Sequence, residues 1–266
     1  MGIKRLYHWQ RFDADRLEGI LRNNSIYFSK PSDFNDPWDC RPFFNVDSLG
    51  DPIEARKHID WAELICRRAG RMNEADIPRM RIQLRDRTTL ESKILELTTG
   101  FQQDVLDRYR VYCLCPDVTN ALMWAHYADS HHGICLEYNV ENSVICGALQ
   151  VQYFDDFPMT RVYSSDLREN LLPVVAKSGV WRYEKEYRLI AQDAANATGH
   201  DTLLTTNGLL KLPAGALCAI IVGCQGPFDA VEALARTCNA SVQVLKAEKI
   251  ANRYALNIAS TSAAPH

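Results

Sequence analysis

"GVWRYEKEYRLIA", residues Gly179–Ala191, is the stretch on which the reading of the fold turns. Its second half is apolar enough for a buried strand, and just ahead of it Glu184, Glu186 and Arg188 recur at two-residue spacing. In an extended chain side chains alternate between faces, so the spacing predicts these three on one side and Tyr183, Lys185, Tyr187 and Leu189 on the other. Two carboxylates and a guanidinium then share a surface. That surface reads in two ways: as a solvated sheet face with a cross-strand ion pair of small energetic value, or as the charged floor of an active site.

Working outward, the chain alternates strands and helices. "IKRLYHW" reads as a short strand ending on His8, followed by a helix capped by Asp13 with Leu17, Ile20 and Leu21 on one stripe. "SIYFS" returns as a strand, and "DFNDPWD" after it is dense in turn formers, placing Asn35, Asp36 and Asp39 in a polar loop. From Asp51 to Arg108 the composition shifts to long charged segments with helical spacing, interrupted at Pro78; residues 51–108 read as a helical insertion. "YRVYCLC" resumes as a strand, Asp117 is a candidate cap for a helix "VTNALMWAHYADSHH" stopping at Gly133, and "GICLEYN" and "LQVQYF" are two further strands. A helix is expected over about Ser165–Lys177. The last part reads strand, turn, helix, strand, with residues 259–266 a disordered tail. The pattern predicts an α+β fold with a mixed, mainly antiparallel split sheet, flanking helices and a single domain over residues 1–258.

Bulk composition narrows the function classes. At 266 residues, 47% hydrophobic and 24% charged, the chain has the usage of a globular protein, and its net charge of -3 lacks a basic footprint for nucleic acid. The local exception is Arg67–Arg87, where seven arginines read as a solvated helical face or, alternatively, a nucleic-acid patch. No apolar run reaches the roughly 20 residues that span a bilayer, and "MGIKRLYHW" lacks the apolar core of a signal peptide. Nine scattered cysteines fit reduced thiols in a cytoplasm. Cys113 and Cys115, with His126, His131 and His132 downstream, are the nearest approach to a zinc pattern, but no second pair follows and no metal is expected. Gly223 and Gly226 flank a strand-to-helix turn of a kind that can cradle a phosphate, but the lysine of a P-loop is missing and a plain connection is expected. His8 reads equally as a core histidine or as a ligand contact. For His126 and Tyr127, beside Trp124, core packing with one buried hydrogen bond is expected.

Four stretches, "LYHW", "IYFSKPSDFNDPWD", "LMWAHYADSHHGICLEY" and "WRYEKEYR", combine strand ends with polar or aromatic side chains. In that order they resemble domain-of-unknown-function family 2971, a largely prokaryotic family, from Leu6 to about Ile258. More distantly, the succession strand-His, helix, strand "YFS" and late E-x-E resembles the ADP-ribosyltransferase superfamily. That resemblance implies a split sheet around a cleft binding NAD as substrate. His8 would contact the ribose, Tyr27 or Ser29 would flank the nicotinamide, Glu186 would do the chemistry and Glu184 would be its E-x-E partner. Arg188 would pair a diphosphate or restrain Glu186. The acceptor would be nucleic acid or protein, and a bacterial toxin or defence role would fit. Two rival expectations stand beside this one. The first is a metal-dependent nuclease or phosphoesterase using Asp36, Asp39, Glu184 and Glu186, with Lys185 near a phosphate. The second is a non-catalytic module binding through Arg67–Arg87.

Overall fold

A computed structural model describes residues 2–41, 43–44, 46–68, 70, 72–158, 163, 167–195, 197 and 202–260. The chain opens with β1 (Arg5–Gln10), α1 (Ala14–Asn23) and β2 (Ser25–Tyr27), followed by helices α2 (Pro52–Arg68), α3 (Ile77–Gln83) and α4 (Arg87–Arg108). Next come β3 (Tyr109–Leu114), α5 (Ala121–Tyr127), β4 (Ile134–Asn139), β5 (Leu149–Gln150) and β6 (Gln152–Phe154). Helix α6 (Leu167–Val175), β7 (Ala176–Ser178) and a 3-10 turn over Gly179–Glu184 lead to β8 (Tyr187–Asp193). The chain continues through β9 (Leu203–Thr205), β10 (Leu209–Lys211), β11 (Leu217–Val222), α7 (Phe228–Cys238), β12 (Gln243–Lys249) and β13 (Leu256–Ser260). This is the α+β class with mixed sheets that the sequence predicts.

These elements form two units. The first gathers residues 1–29, 110–151 and 181–266; the second gathers 30–109 and 152–180. The helical segment 51–108 therefore belongs to the second unit, together with the FNDP loop and with β6 and β7, which pair in parallel there. That unit has its own core of Leu49, Ala62, Cys66, Met80, Leu84, Leu90 and Ile94.

The first unit is built on a five-stranded sheet ordered β1-β4-β11-β12-β13. Its pairs are antiparallel except β11 with β12, which α7 connects. Alternation sorts its side chains by face. Leu6, Leu136, Tyr138, Ile220 and Val222 pack with Leu17, Ile20 and Leu21 of α1 and Val231 and Ala235 of α7. The opposite parity, Trp9, Cys135, Ile221 and Ala247, packs with Met123 and Trp124 of α5. A second sheet is ordered β3-β8-β5, with β9 also on β8, while β2 pairs with β10.

Several local expectations are corrected. The segment ahead of β8 is not extended: Gly179–Glu184 winds as a 3-10 turn, Lys185 takes a left-handed φ of 48°, and strand pairing starts at Tyr187 opposite Gln150. The α5 helix is capped by Asn120, whose side chain accepts from the Leu122 amide, rather than by Asp117, which instead holds the Thr119 amide. It also stops well short of Gly133, because Asp129, Ser130 and His131 are all left-handed. The expected helix to Lys177 ends at Val175, its predicted start at Ser165 lying outside the described residues. At the other end β13 runs to Ser260, two residues into the segment expected as a tail, and residues 261–266 lie outside the described ones.

Candidate functional site

Strand β3 is the element on which the candidate residues of the first unit converge. Tyr7 of β1 and Cys115, just past β3, exchange both backbone hydrogen bonds, each 2.9 Å. Ser29, two residues beyond β2, does the same with Val111, at 3.0 and 2.9 Å. Strand β8, which follows Glu186, is β3's sheet neighbour. Single bridges thus tie the segments carrying His8 and Ser29 to the β3 segment, the strand that follows the E-x-E acids pairs with β3, and Tyr27 lies on β2, which pairs with β10.

His8 sits where β1 meets β3. Its Nδ1–H donates to the Cys113 carbonyl at 2.8 Å, and its ring stacks on Tyr112, centroids 4.1 Å apart and planes 24° from parallel. Burial, offset in part by that hydrogen bond and reinforced by the Arg16 charge, pushes the imidazole down to about 4. His8 is therefore neutral near pH 7, and with the proton fixed on Nδ1 its Nε2 is an acceptor. Behind it, the hydroxyls of Tyr112 and Tyr138 share a hydrogen bond of 2.8 Å. Tyr27 is 39% exposed, with the Arg16 guanidinium 6.0 Å from its ring centroid. Its ring edge is packed so closely on Gly208 (φ 78°) that a Cβ there would lie 2.7 Å from it.

Glu184, Glu186 and Arg188 of the opening motif are all buried, at 2%, 3% and 0% exposed. Among the described residues the two carboxylates have separate partners. Arg188 forks onto Glu186, Nε to Oε1 at 2.8 Å and Nη2 to Oε2 at 3.1 Å. Glu184, just ahead of the left-handed Lys185, accepts from the Tyr127 hydroxyl at 2.7 Å. Asn120 Nδ2 donates to the Tyr183 carbonyl at 2.9 Å, tying the 3-10 turn to the start of α5. The structure thus joins Tyr127 to Glu184 and Arg188 to Glu186. His126 differs from expectation: α5 buries Met123 and Trp124, which leaves His126 on its exposed side, beside the rings of Trp181 and Tyr183 at 6.4 and 6.5 Å.

Asn35, Asp36 and Asp39 lie in the second unit. Asp36 Oδ1 accepts from the Trp38 amide at 2.9 Å, and Asp39 lies 3.7 Å from Lys177 Nζ, with Asp36, Asp39 and Lys177 all buried. Among the described residues no group of three His, Cys, Asp or Glu side chains is placed to hold a metal ion. Burial pushes the Cys115 thiol up to about 12. The turn after β11 is a close-packed connection, since the Gly223 amide donates to Gly133, that of Gln225 to His131 and that of Gly226 to Gly223. In the Arg67–Arg87 face, Arg67, Arg81 and Arg87 are engaged with acids, which lowers the charge available to a polyanion.

Several residues that sequence reasoning passed over shape this region. Tyr112 was detectable as an aromatic at alternate spacing in "YRVYCLC", whereas the role of Asn120 depends on a partner 63 residues away. Arg110 and Asp193 form a further, part-buried pair, Nε to Oδ2 at 2.9 Å. Burial works against the Asp193 charge, yet Arg110, the Gly208 amide and the Thr205 hydroxyl together hold its carboxyl below the usual range. Comparison with family models, with curated proteins and with solved structures finds no match.

Proposed function

We infer that the protein is an ADP-ribosyltransferase-like enzyme that consumes NAD. The observation that carries this reading is the gathering of segments along β3: Ser29 bridges to its Val111, Tyr7 beside His8 bridges to Cys115 just past its end, and β8, which follows Glu186, pairs with it. In such a reaction the bond between the ribose C1′ and the nicotinamide nitrogen breaks, nicotinamide leaves as a neutral molecule, and positive charge develops on the ribose. An acceptor oxygen or nitrogen then adds at C1′ and gives up its proton.

Each candidate residue has a chemistry suited to that path. The free Nε2 lone pair of neutral His8 can accept from a ribose hydroxyl. The half-open ring of Tyr27 offers a face for nicotinamide, and Ser29 is its neighbour on the same segment. Glu186 supplies the carboxylate that stabilises the developing charge, with Arg188 fixing its orientation as a fork. Glu184 is the candidate to orient or deprotonate the acceptor, steadied by Tyr127. The acceptor is a nucleic acid or a protein, and a toxin or defence effector is the role such an activity would serve. Nine free cysteines, four of them buried, agree with a cytoplasmic setting.

Binding is the first test. NAD added in titration calorimetry should bind the wild type and Glu186→Gln alike, and binding should weaken at least about tenfold in Tyr27→Ala, which loses its stacking face. Absence of heat and of any thermal shift with the wild type would remove the reading.

A further inference from the structure

The segment between the two acids carries an inference of its own. Residues two apart in an extended chain face the same way, yet Glu184 and Glu186 have different partners, Tyr127 for one and Arg188 for the other. The residue between them is where the geometry changes. Lys185 has φ 48°, a left-handed conformation that a side chain with a Cβ adopts only under strain. On one side of it the 3-10 turn ends at Glu184; on the other, the Glu186 carbonyl already accepts from the Val151 amide at the start of strand pairing. The ammonium does not account for the conformation. It lies 4.0 Å from an Asp117 oxygen, with side chains 63% and 41% exposed, a pairing that solvent screens.

We propose that Lys185 is a positioning residue, whose left-handed backbone directs Glu184 to Tyr127 and leaves Glu186 to Arg188. The side-chain charge is incidental, and the requirement is for a residue that holds positive φ. In its functional part this rests on the reading of Glu186 as the NAD-cleaving acid. By this logic substitutions rank by tolerance of the left-handed region, glycine and asparagine above β-branched residues, regardless of charge.

The test compares Lys185→Gly, Lys185→Asn and Lys185→Val for nicotinamide release, with circular dichroism establishing that each is folded at the assay temperature. Crystal structures of the glycine and valine variants accompany the kinetics. Gly and Asn should keep kcat within about threefold of wild type, while Val should lose at least about tenfold in kcat with its KM for NAD little changed. The valine crystal structure should show Glu184 parted from Tyr127, and the glycine structure should keep that bond. If valine does not fold, Lys185→Ala takes its place, with a smaller loss in the same direction. Gly and Asn falling as far as Val would overturn the proposal in favour of the ammonium, and so would a valine variant that keeps both carboxylate pairs and its kcat. Should the wild type itself release no nicotinamide, the NAD reading fails, and the two crystal structures still decide the positioning claim.

Discussion

At the scale of single residues, the burial of Glu186 and Arg188 sets the consequences of changing either. Breaking a buried fork from one side is far costlier than replacing both partners by apolar groups, so Arg188→Ala should destabilise the protein by about 3–5 kcal/mol in urea unfolding, whereas replacing both partners by methionine should cost much less. His8 makes a separate prediction about pH. Its folded value lies near 4 and its unfolded value near 6.5, so between these limits the unfolded chain binds more protons than the folded one. Its contribution is complete above about pH 6.5 and is lost as pH falls toward 4. Wild type should therefore lose on the order of 2–3 kcal/mol more than His8→Gln between pH 7 and 4, read from unfolding midpoints across that range. Equal losses in the two proteins would show that His8 is not buried in its neutral form.

At the scale of elements, the sequence was most informative where local chemistry decides. The Asp13 cap accepts from the Arg16 amide at 2.9 Å, and α1 buries Leu17, Ile20 and Leu21 as the 3.6-residue period requires. The "EKEYR" segment misled because alternating charge is compatible with a strand but does not create one. Strand identity needs a partner, and β5 offers only Leu149 and Gln150 to Arg188 and Tyr187. The cap of α5 was missed for a similar reason, since Asp117 and Asn120 are both good caps and the choice follows from where Tyr183 places its carbonyl. Asn120→Ala should cost about 1–2 kcal/mol, more than a cap alone, as it also releases the 3-10 turn. Gly133, expected as a helix stop, and Gly223, in a turn expected as a plain connection, each admit a passing backbone. A Cβ at Gly133 would lie 2.3 Å from the Gln10 carbonyl oxygen, and one at Gly223 2.1 Å from that of His131. Alanine at either position should destabilise by at least about 2–3 kcal/mol in thermal or urea unfolding, and a neutral result would contradict this packing.

At the scale of the whole molecule, the two units each carry a separate apolar core, a division invisible in composition because no Pro- or Gly-rich linker marks it. The residues expected to act on NAD belong to the first unit, and Asn35, Asp36 and Asp39 to the second, so four stretches that read as one constellation in sequence are distributed over two cores. Ile94→Ala, in the core of the second unit, should cost about 2–5 kcal/mol, detected as loss of amide-exchange protection across α2 and α4. The central claim concerns the first unit: that the segments gathered on β3 make an NAD-cleaving site with Glu186 at its centre. The most direct measurement is nicotinamide release from NAD by wild type and Glu186→Gln side by side, with total RNA, DNA and cell protein supplied as acceptors. Release by wild type with a loss on the order of 10² or more in Glu186→Gln is the predicted result; equal release by both proteins, or none by either with any acceptor, would contradict it.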